Sequence, residues 1–222
     1  MSIKQNLHGI LRSIPPDVTL VAVSKTKHTY EILEAYNAGQ RVFGENKIQE
    51  MVEKHEILPK DIEWHMIGHV QTNKIKYMAE FVSLVHGVDS FKLLKEINKQ
   101  AKRNDKTINC LLQIKIAEED SKFGMSVDDA LNILQSKEFS ELKNVCIKGV
   151  MGMATFTDNQ EQIKSEFSFL KATFEKLKQL ETPNFKPETI SMGMSDDYLI
   201  AIECGSTMIR VGSRIFGERI YQ

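Results

Sequence analysis

The sequence predicts an α/β fold, a single (β/α)8 TIM barrel that extends over residues 1–222. Short apolar runs alternate with longer helical stretches from Val18 nearly to the C-terminus, and eight such runs can be counted. This alternation implies parallel strands joined by right-handed crossovers. A length of 222 residues lies near the lower end of the range for closed eight-stranded α/β barrels. No linker rich in Pro, Gly or Ser interrupts the pattern, which favours one domain, and a doubly wound open sheet is the alternative architecture.

The strands are predicted from β-rich apolar runs and the helices from apolar residues at helical spacing. The predicted strands are Val18–Ser24, Arg41–Gly44, Glu63–Gly68, Val82–Val88, Ile108–Ile116, Val145–Met151, Thr189–Met194 and Met208–Val211. The predicted helices between them are Tyr30–Ala38, Ile48–Ile57, Phe91–Lys102, Val127–Ser136 and Gln160–Leu180. We expect Asp89 or Ser90 to cap the third of these helices and Ser126 the fourth. The first 16 residues are predicted to form an extra N-terminal helix, stopped by Pro15 and Pro16, that closes the barrel bottom or packs alongside.

Composition and charge exclude several classes of function. With 41% hydrophobic residues the chain can bury a large core, and a net charge of −1 gives no basic footprint for nucleic acid or membrane surfaces. The apolar runs are far shorter than the roughly 20 residues that span a bilayer, and the N-terminus lacks the apolar segment of a secretory signal. Cys110, Cys146 and Cys204 are widely spaced in apolar contexts, which indicates reduced core thiols. We therefore expect a cytoplasmic protein without nucleic-acid or membrane partners.

Lys25 is the first candidate functional residue, because it follows the apolar run Val18–Val23 with only Ser24 between them. Desolvation at the rim of a core can lower the pKa of a lysine amine, and the neutral amine can form a Schiff base with an aldehyde. Alternatively, the side chain simply reaches out to solvent. In a barrel, ligands bind at the carboxyl ends of the strands, where Lys25 is expected. Other polar residues at these ends are Glu45, Asn46, His69, Asp89 and the segment 194–197.

A candidate phosphate site follows the last predicted strand. Gly212 permits close backbone approach, and Ser213 provides a hydroxyl and an N–H group. The loops after strands seven and eight are the usual phosphate site of this fold. A lysine after strand one that faces such a site indicates a ligand that is a phosphorylated aldehyde.

Five ordered motifs span nearly the whole chain: Ala22–Lys27, Phe43–Asn46, Trp64–Lys74, Ser191–Asp197 and Gly205–Gly217. Together they resemble the YggS/PROSC family of pyridoxal 5'-phosphate (PLP) homeostasis proteins. The resemblance implies a fold type III PLP-binding barrel, similar to the N-terminal domain of alanine racemase. It also implies PLP as the cofactor and a protein that is not primarily an enzyme.

Carried over residue by residue, the resemblance assigns cofactor contacts to six positions: Lys25, Asn46, Ser195, Arg210, Gly212 and Ser213. Lys25 matches the lysine that forms the Schiff base. Ser195, Gly212 and Ser213 match the positions that hold the phosphate, although many relatives have Thr in place of Ser213. Arg210 matches the arginine that faces the pyridine nitrogen, and its permanent charge disfavours protonation of that nitrogen. Asn46 is expected beside the ring or the lysine, and His65 and Trp64 are weaker candidates.

Two functions are consistent with these assignments. The first is a carrier or buffer that holds PLP on Lys25 and releases it by hydrolysis or by transfer to apo-enzymes, which are candidate partners of an expected monomer. The second is a small amino-acid racemase with Lys25 as a catalytic base. Racemisation needs a second base, which alanine racemase takes from a domain after the barrel, whereas this chain ends at Gln222. The carrier is therefore favoured, and a class I-type aldolase is weaker because such barrels usually place their lysine on a later strand.

Three further motifs have ordinary structural explanations. His65 and His69 are four residues apart, but they lie on a predicted strand and its following loop, which disfavours zinc. Asp196 and Asp197 are expected to cap a helix that begins near Tyr198 rather than to form an acid–base pair. Lys74 and Lys76 are equally consistent with an anionic ligand and with simple exposure to solvent.

Overall fold

The computed structural model describes residues 2–118 and 123–218, in which eight parallel strands form a closed barrel in the order β1 to β8. The strands are β1 (Thr19–Val23), β2 (Val42–Glu45), β3 (Glu63–Met66), β4 (Val82–Val88), β5 (Ile108–Gln113), β6 (Val145–Met151), β7 (Phe185–Ser191) and β8 (Met208–Val211). β1 pairs with β8 from Thr19 opposite Met208 to Ala22 opposite Val211, which closes the sheet. The predicted (β/α)8 barrel is confirmed, and the open-sheet alternative is wrong.

Helices surround the barrel and connect its strands. They are α1 (Ile3–Ser13), α2 (Thr29–Asn37), α3 (Ile48–Ile57), the 3₁₀ helix η1 (Thr72–Tyr77), α4 (Phe91–Arg103), α5 (Val127–Gln135), α6 (Lys137–Ser140), α7 (Gln160–Leu177), α8 (Tyr198–Glu203) and α9 (Ser213–Phe216). α1 is the predicted extra helix. It ends before Ile14, whose backbone is extended as expected for a residue that precedes a proline. It packs alongside the barrel, where Asn6 Nδ2 donates to the carbonyl of Ile215 in α9 at 3.1 Å.

Two of the predicted helix caps are formed by serine side chains. The Ser90 hydroxyl accepts from the backbone N–H of Leu93 at 3.4 Å, so Ser90 rather than Asp89 caps α4. The Ser126 hydroxyl accepts from the N–H of Asp129 at 3.0 Å, and the Asp129 carboxylate accepts from the N–H of Ser126 at 3.4 Å. This reciprocal pair fixes the start of α5 after the barrel strand β5.

β7 begins at Phe185, four residues before the predicted start at Thr189. The early part of the strand is polar and contains Pro187, which cannot donate to a sheet ladder. Pairing with β6 is irregular over this part: Ile147 lies opposite Phe185, whereas Gly149 lies opposite Thr189. A Cβ on Gly149, which has φ of +146°, would clash with the carbonyl oxygen of Thr189. The bulge and this glycine therefore let a strand with poor sequence signals join the barrel.

Apolar side chains pack in two layers. The larger layer lies between the strands and the surrounding helices, and a small cluster consists of Val21, Leu84, Leu111, Met151 and Met208. Buried polar side chains also lie on the barrel strands, among them His65, His86, Ser191 and Arg210. Within the described ranges, no helix is long and apolar enough to cross a bilayer, and no group of three or more metal-ligating side chains occurs.

Candidate functional site

A cavity of about 580 Å³ lies at the carboxyl ends of the strands, a size typical of small-molecule sites. All six residues predicted to contact a cofactor line it: Lys25, Asn46, Ser195, Arg210, Gly212 and Ser213. They follow β1, β2, β7 and β8 or belong to β8, and the two groups meet because barrel closure places β8 beside β1. The structure thus brings the six residues to one cavity, and their contacts with a cofactor remain a prediction.

The turn that carries Lys25 has an unusual backbone. Thr26 has φ of +65°, in the left-handed region that a β-branched residue rarely adopts, at a cost of roughly 1–3 kcal/mol. The Thr26 N–H donates to Glu50 Oε1 at 2.5 Å, and the Ser24 hydroxyl donates to Glu45 Oε1 at 2.5 Å. Both residues that flank Lys25 are thus held by carboxylates, which fixes the direction in which the lysine leaves the barrel wall.

These two carboxylates share a buried lysine. Lys54 Nζ on α3 donates at 2.7 Å to Glu45 Oε1, to Glu50 Oε1 and to the carbonyl of Ser24. Burial raises the pKa of Glu45 to about 7, although the charge of Lys54 opposes the shift. Glu45 Oε2 is buried and has no hydrogen-bond partner among the described residues. The Lys25 turn is therefore supported from below by a compact, charged cluster.

The loops after β7 and β8 meet beside Lys25. The backbone N–H of Gly212 donates to Ser195 Oγ at 3.3 Å, which links the two loops. A Cβ on Gly212 would lie 3.1 Å from the carbonyl oxygen of Val23 at the end of β1, so the absence of a side chain lets β8 approach closely. Ser213, the first residue of α9, is exposed at the edge of the cavity. The hydroxyls of Ser195 and Ser213 and the backbone turn at Gly212 thus lie on one side of the cavity.

Arg210 is a buried cation on the floor of this cavity. Its Nη1 donates to Ser191 Oγ at 2.6 Å and its Nη2 to the carbonyl of Gly152 at 3.1 Å. It makes no ion pair with any carboxylate in residues 2–118 or 123–218. Burial lowers the pKa of Arg210 to about 10, and the charge of Asp197 opposes this shift. At neutral pH the guanidinium remains charged, with neutral groups as its direct partners.

Several weaker sequence-based assignments are corrected. Trp64 is fully buried against Phe43 in the outer layer and does not line the cavity. His65 points to His86 rather than to the cavity, and His69 lies at the surface, 3.4 Å from Asp89. The two histidines therefore have different partners: His65 contacts His86 and His69 contacts Asp89.

The expected capping by Asp197 is also wrong. α8 does begin at Tyr198, but Asp197 Oδ1 accepts from the N–H of Met194 at 2.5 Å instead of a helix N–H. This bond closes the loop after β7 and keeps the carboxylate near Arg210. Lys74 and Lys76 lie in η1, outside the cavity lining, so the anionic-ligand alternative has no structural support there.

Sequence reasoning missed four side chains around the site. Lys54 could have been found from its i, i+4 spacing to Glu50 on a predicted helix. His86 and Ser191 lie on strands β4 and β7, and nothing local in the sequence indicates that their side chains meet. Lys27 lines the cavity as well, and its Nζ donates to the carbonyl of Phe216 at 3.0 Å.

Comparisons with other proteins identify the family of this chain. Residues 1–220 match the family described as alanine racemase, N-terminal domain. The pyridoxal phosphate homeostasis protein of Pasteurella multocida is 39% identical over 234 aligned positions, which cover 100% of this chain and 99% of that protein. The structure of PipY from Synechococcus elongatus, with PLP bound, is 32% identical with a TM-score of 0.87, over 97% of this chain and 100% of that chain.

Alanine racemase from E. faecalis shares the fold only, with 16% identity and a TM-score of 0.75 over 98% of this chain and 58% of that chain. The homeostasis proteins, in contrast, match along almost their whole length. The resemblance inferred from the five motifs is therefore confirmed. The chain belongs to the alanine racemase N-terminal domain family and, within it, to the group of pyridoxal phosphate homeostasis proteins.

Proposed function

We propose that this chain binds PLP in the Lys25 cavity and serves PLP homeostasis, holding the cofactor as a Schiff base on Lys25 for buffering or delivery. One observation carries the proposal: a primary amine and a buried guanidinium line the same cavity. A buried cation that is paired with no carboxylate in the described ranges favours a ligand with anionic or acceptor groups. The relatives named pyridoxal phosphate homeostasis protein and the PLP-bound PipY structure support the same ligand.

The residues of the cavity fit the groups of this cofactor. Ser195, Gly212 and Ser213 supply hydroxyls and backbone N–H groups for a phosphate, and Arg210 supplies donors for an acceptor on the ring. Asn46 completes the lining between β2 and the lysine. The bound group would supply an electrophilic aldehyde carbon. The Lys25 amine would hold the group by condensing with that carbon, with a C=N bond formed and one water released, and hydrolysis would reverse the step with the same balance.

These residues support a PLP carrier better than a PLP-dependent enzyme. The fixed charge of Arg210 disfavours a proton on the ring nitrogen, which weakens the cofactor as an electron sink. The relatives from Pasteurella multocida and Haemophilus influenzae also carry the name of homeostasis proteins and not of racemases. We further propose that apo-enzymes receive the cofactor, that the chain acts as a single-domain monomer over residues 1–222, and that it works in the cytoplasm.

The binding proposal is tested by titration of the purified protein with PLP while visible absorbance is recorded. The wild type should develop the absorbance of a Schiff base, and Lys25→Ala should not. Lys27→Ala is the matched control, because Lys27 lines the same cavity but is paired with Glu31 at 3.6 Å and with the carbonyl of Phe216. Equal absorbance from wild type and Lys25→Ala would reject the proposal. Racemisation of a panel of L-amino acids at ordinary enzyme rates would reject the carrier function in favour of a racemase.

A further inference from the structure

A chain of buried hydrogen bonds crosses the barrel from β3 to β8 beneath the candidate site. His65 Nδ1 lies 3.0 Å from His86 Nε2, and His86 Nδ1 lies 3.0 Å from Ser191 Oγ. Ser191 Oγ in turn lies 2.6 Å from Arg210 Nη1. His86 and Ser191 belong to β4 and β7, which are not neighbours in the barrel, so this link spans its interior. All four side chains are at most 4% exposed.

The chemistry of the arginine sets the direction of these bonds. A guanidinium only donates, so Ser191 Oγ must accept from Arg210. The hydroxyl hydrogen of Ser191 then has His86 Nδ1 as its acceptor, which leaves the ring hydrogen of His86 on Nε2. His86 Nε2 donates to His65 Nδ1. The reverse tautomer of His86 would leave the Ser191 hydroxyl hydrogen without an acceptor in a buried site, which is unfavourable.

The charge states of the two histidines agree with this direction. Burial lowers the pKa of His65 to about 3. Burial, together with the neighbouring His65 and Arg210, lowers the pKa of His86 well below its usual value. Both rings are therefore neutral at pH 7, as a one-way chain requires. A protonated His86 would present an N–H to Ser191 and place a second positive charge close to Arg210.

This series of hydrogen bonds stabilises the buried guanidinium of Arg210 without cancelling its charge. Each group turns an acceptor lone pair towards the next donor, so the negative ends of the dipoles face the guanidinium. A carboxylate at the same place would hold Arg210 equally well but would cancel its charge. Together with the carbonyl of Gly152, Ser191 instead fixes the plane of the guanidinium and leaves its full charge available to the cavity.

We propose that His86 and His65 are positioning residues, which act through Ser191 to hold Arg210 as a charged, donor-only group at the floor of the Lys25 cavity. The inference rests on the proposed function, in which Arg210 faces the ring nitrogen of PLP. Its consequence is that the ring nitrogen meets a fixed hydrogen-bond donor, which cannot accept a hydrogen bond from a protonated ring nitrogen and therefore favours the unprotonated form. The two histidines thereby suppress protonation of the ring nitrogen although neither lines the cavity.

The direction of the chain is tested on the ligand-free wild type by ¹⁵N NMR with labelled histidine. His86 should be neutral, with its hydrogen on Nε2 and an unprotonated, hydrogen-bonded Nδ1, at every pH at which the protein stays folded. A hydrogen on Nδ1, or an imidazolium at pH 6, would overturn the inference. This measurement needs no PLP, so it fails or succeeds independently of the proposed function.

Variants test the effect on the ligand. Ser191→Ala and His86→Leu should each weaken PLP binding about tenfold, the equivalent of one hydrogen bond. In both variants the ¹⁵N resonance of the pyridine nitrogen of labelled PLP should move towards the value of the protonated form. His86→Gln should restore the wild-type resonance, because its amide can accept from Ser191 and donate to His65. His69→Gln is the control outside the chain and should change neither value.

The outcomes separate the two proposals. If His86→Leu is folded and labelled on Lys25 but has the wild-type ring-nitrogen resonance, the positioning role is rejected and PLP binding stands. If borohydride reduction of the wild type leaves Lys25 unmodified, the proposed function is rejected, and the tautomer of His86 still decides whether the chain has the inferred direction.

Discussion

Lys54 Nζ lies 2.7 Å from Glu45 Oε1, and both side chains are buried directly beneath the turn that carries Lys25. β2 supplies the carboxylate and α3 the amine, so the pair connects the barrel wall to its outer helix. Because Lys54 also holds the carbonyl of Ser24, the same ion pair fixes the backbone next to the candidate Schiff-base lysine. Stability and site geometry should therefore change together when the pair is broken.

At pH 9, above the pKa of about 7 of Glu45, replacement of Lys54 by methionine should destabilise the protein by about 3–5 kcal/mol, because the buried carboxylate then lacks its cation. The free energy of unfolding in urea measures the loss. The double variant with Glu45→Gln removes both charges and should recover part of it. A loss below about 1 kcal/mol for Lys54→Met would show that the pair is not buried in solution.

The pH dependence of stability should carry the signature of Glu45. Burial raises the pKa of Glu45 from 4.5 to about 7, so between these values the folded state binds more protons than the unfolded state. Its contribution to stability is therefore full below pH 4.5 and is lost as pH rises through about 7, by an amount of about 3 kcal/mol.

The comparison of wild type with Glu45→Gln isolates this contribution, because the titration of the buried histidines is common to both proteins. The difference between their unfolding free energies should change from pH 5 to pH 8, with the wild type losing stability relative to the variant. A difference that is constant over this range would contradict the raised pKa.

Gly68 and Gly9 should respond oppositely to the same substitution. A Cβ on Gly68 would overlap the backbone of Asn46, so Gly68→Ala must displace the loop after β2 and should weaken PLP binding and stability by more than 1 kcal/mol. Gly9 lies exposed within α1, where a Cβ would meet nothing within 4 Å, and Gly9→Ala should stabilise by about 0.5–1 kcal/mol. Thermal unfolding and PLP titration of both variants check this pair.

The sequence was sufficient to predict the eight strands, because buried parallel strands read as apolar runs, and the strand ends pointed to Lys25, Asn46, Gly212 and Ser213. Arg210 was assigned only through the family resemblance. It could not predict the early start of β7, where Lys186, Pro187 and Glu188 resemble a loop. That segment joins the sheet only because β6 bulges at Gly149 to meet it.

Tertiary hydrogen bonds were equally beyond the sequence. The partners of His86 come from β3 and β7, far apart along the chain, and no local pattern links them. The cap expected from Asp197 was wrong for a related reason, since the N–H of Met194 competes for its carboxylate. Local signals thus predicted the secondary-structure elements and the position of the cavity. The contacts of Arg210 with Ser191, and of Ser191 with His86, could be seen only once the barrel had brought distant strands together.

The most direct test of PLP binding on Lys25 is covalent labelling. The purified protein is loaded with PLP, reduced with borohydride, digested and analysed by peptide mass spectrometry. We expect one modified peptide that contains Lys25, its loss in Lys25→Ala and its retention in Lys27→Ala. Modification of a different lysine in the wild type, or equal retention of PLP by Lys25→Ala, would contradict the account.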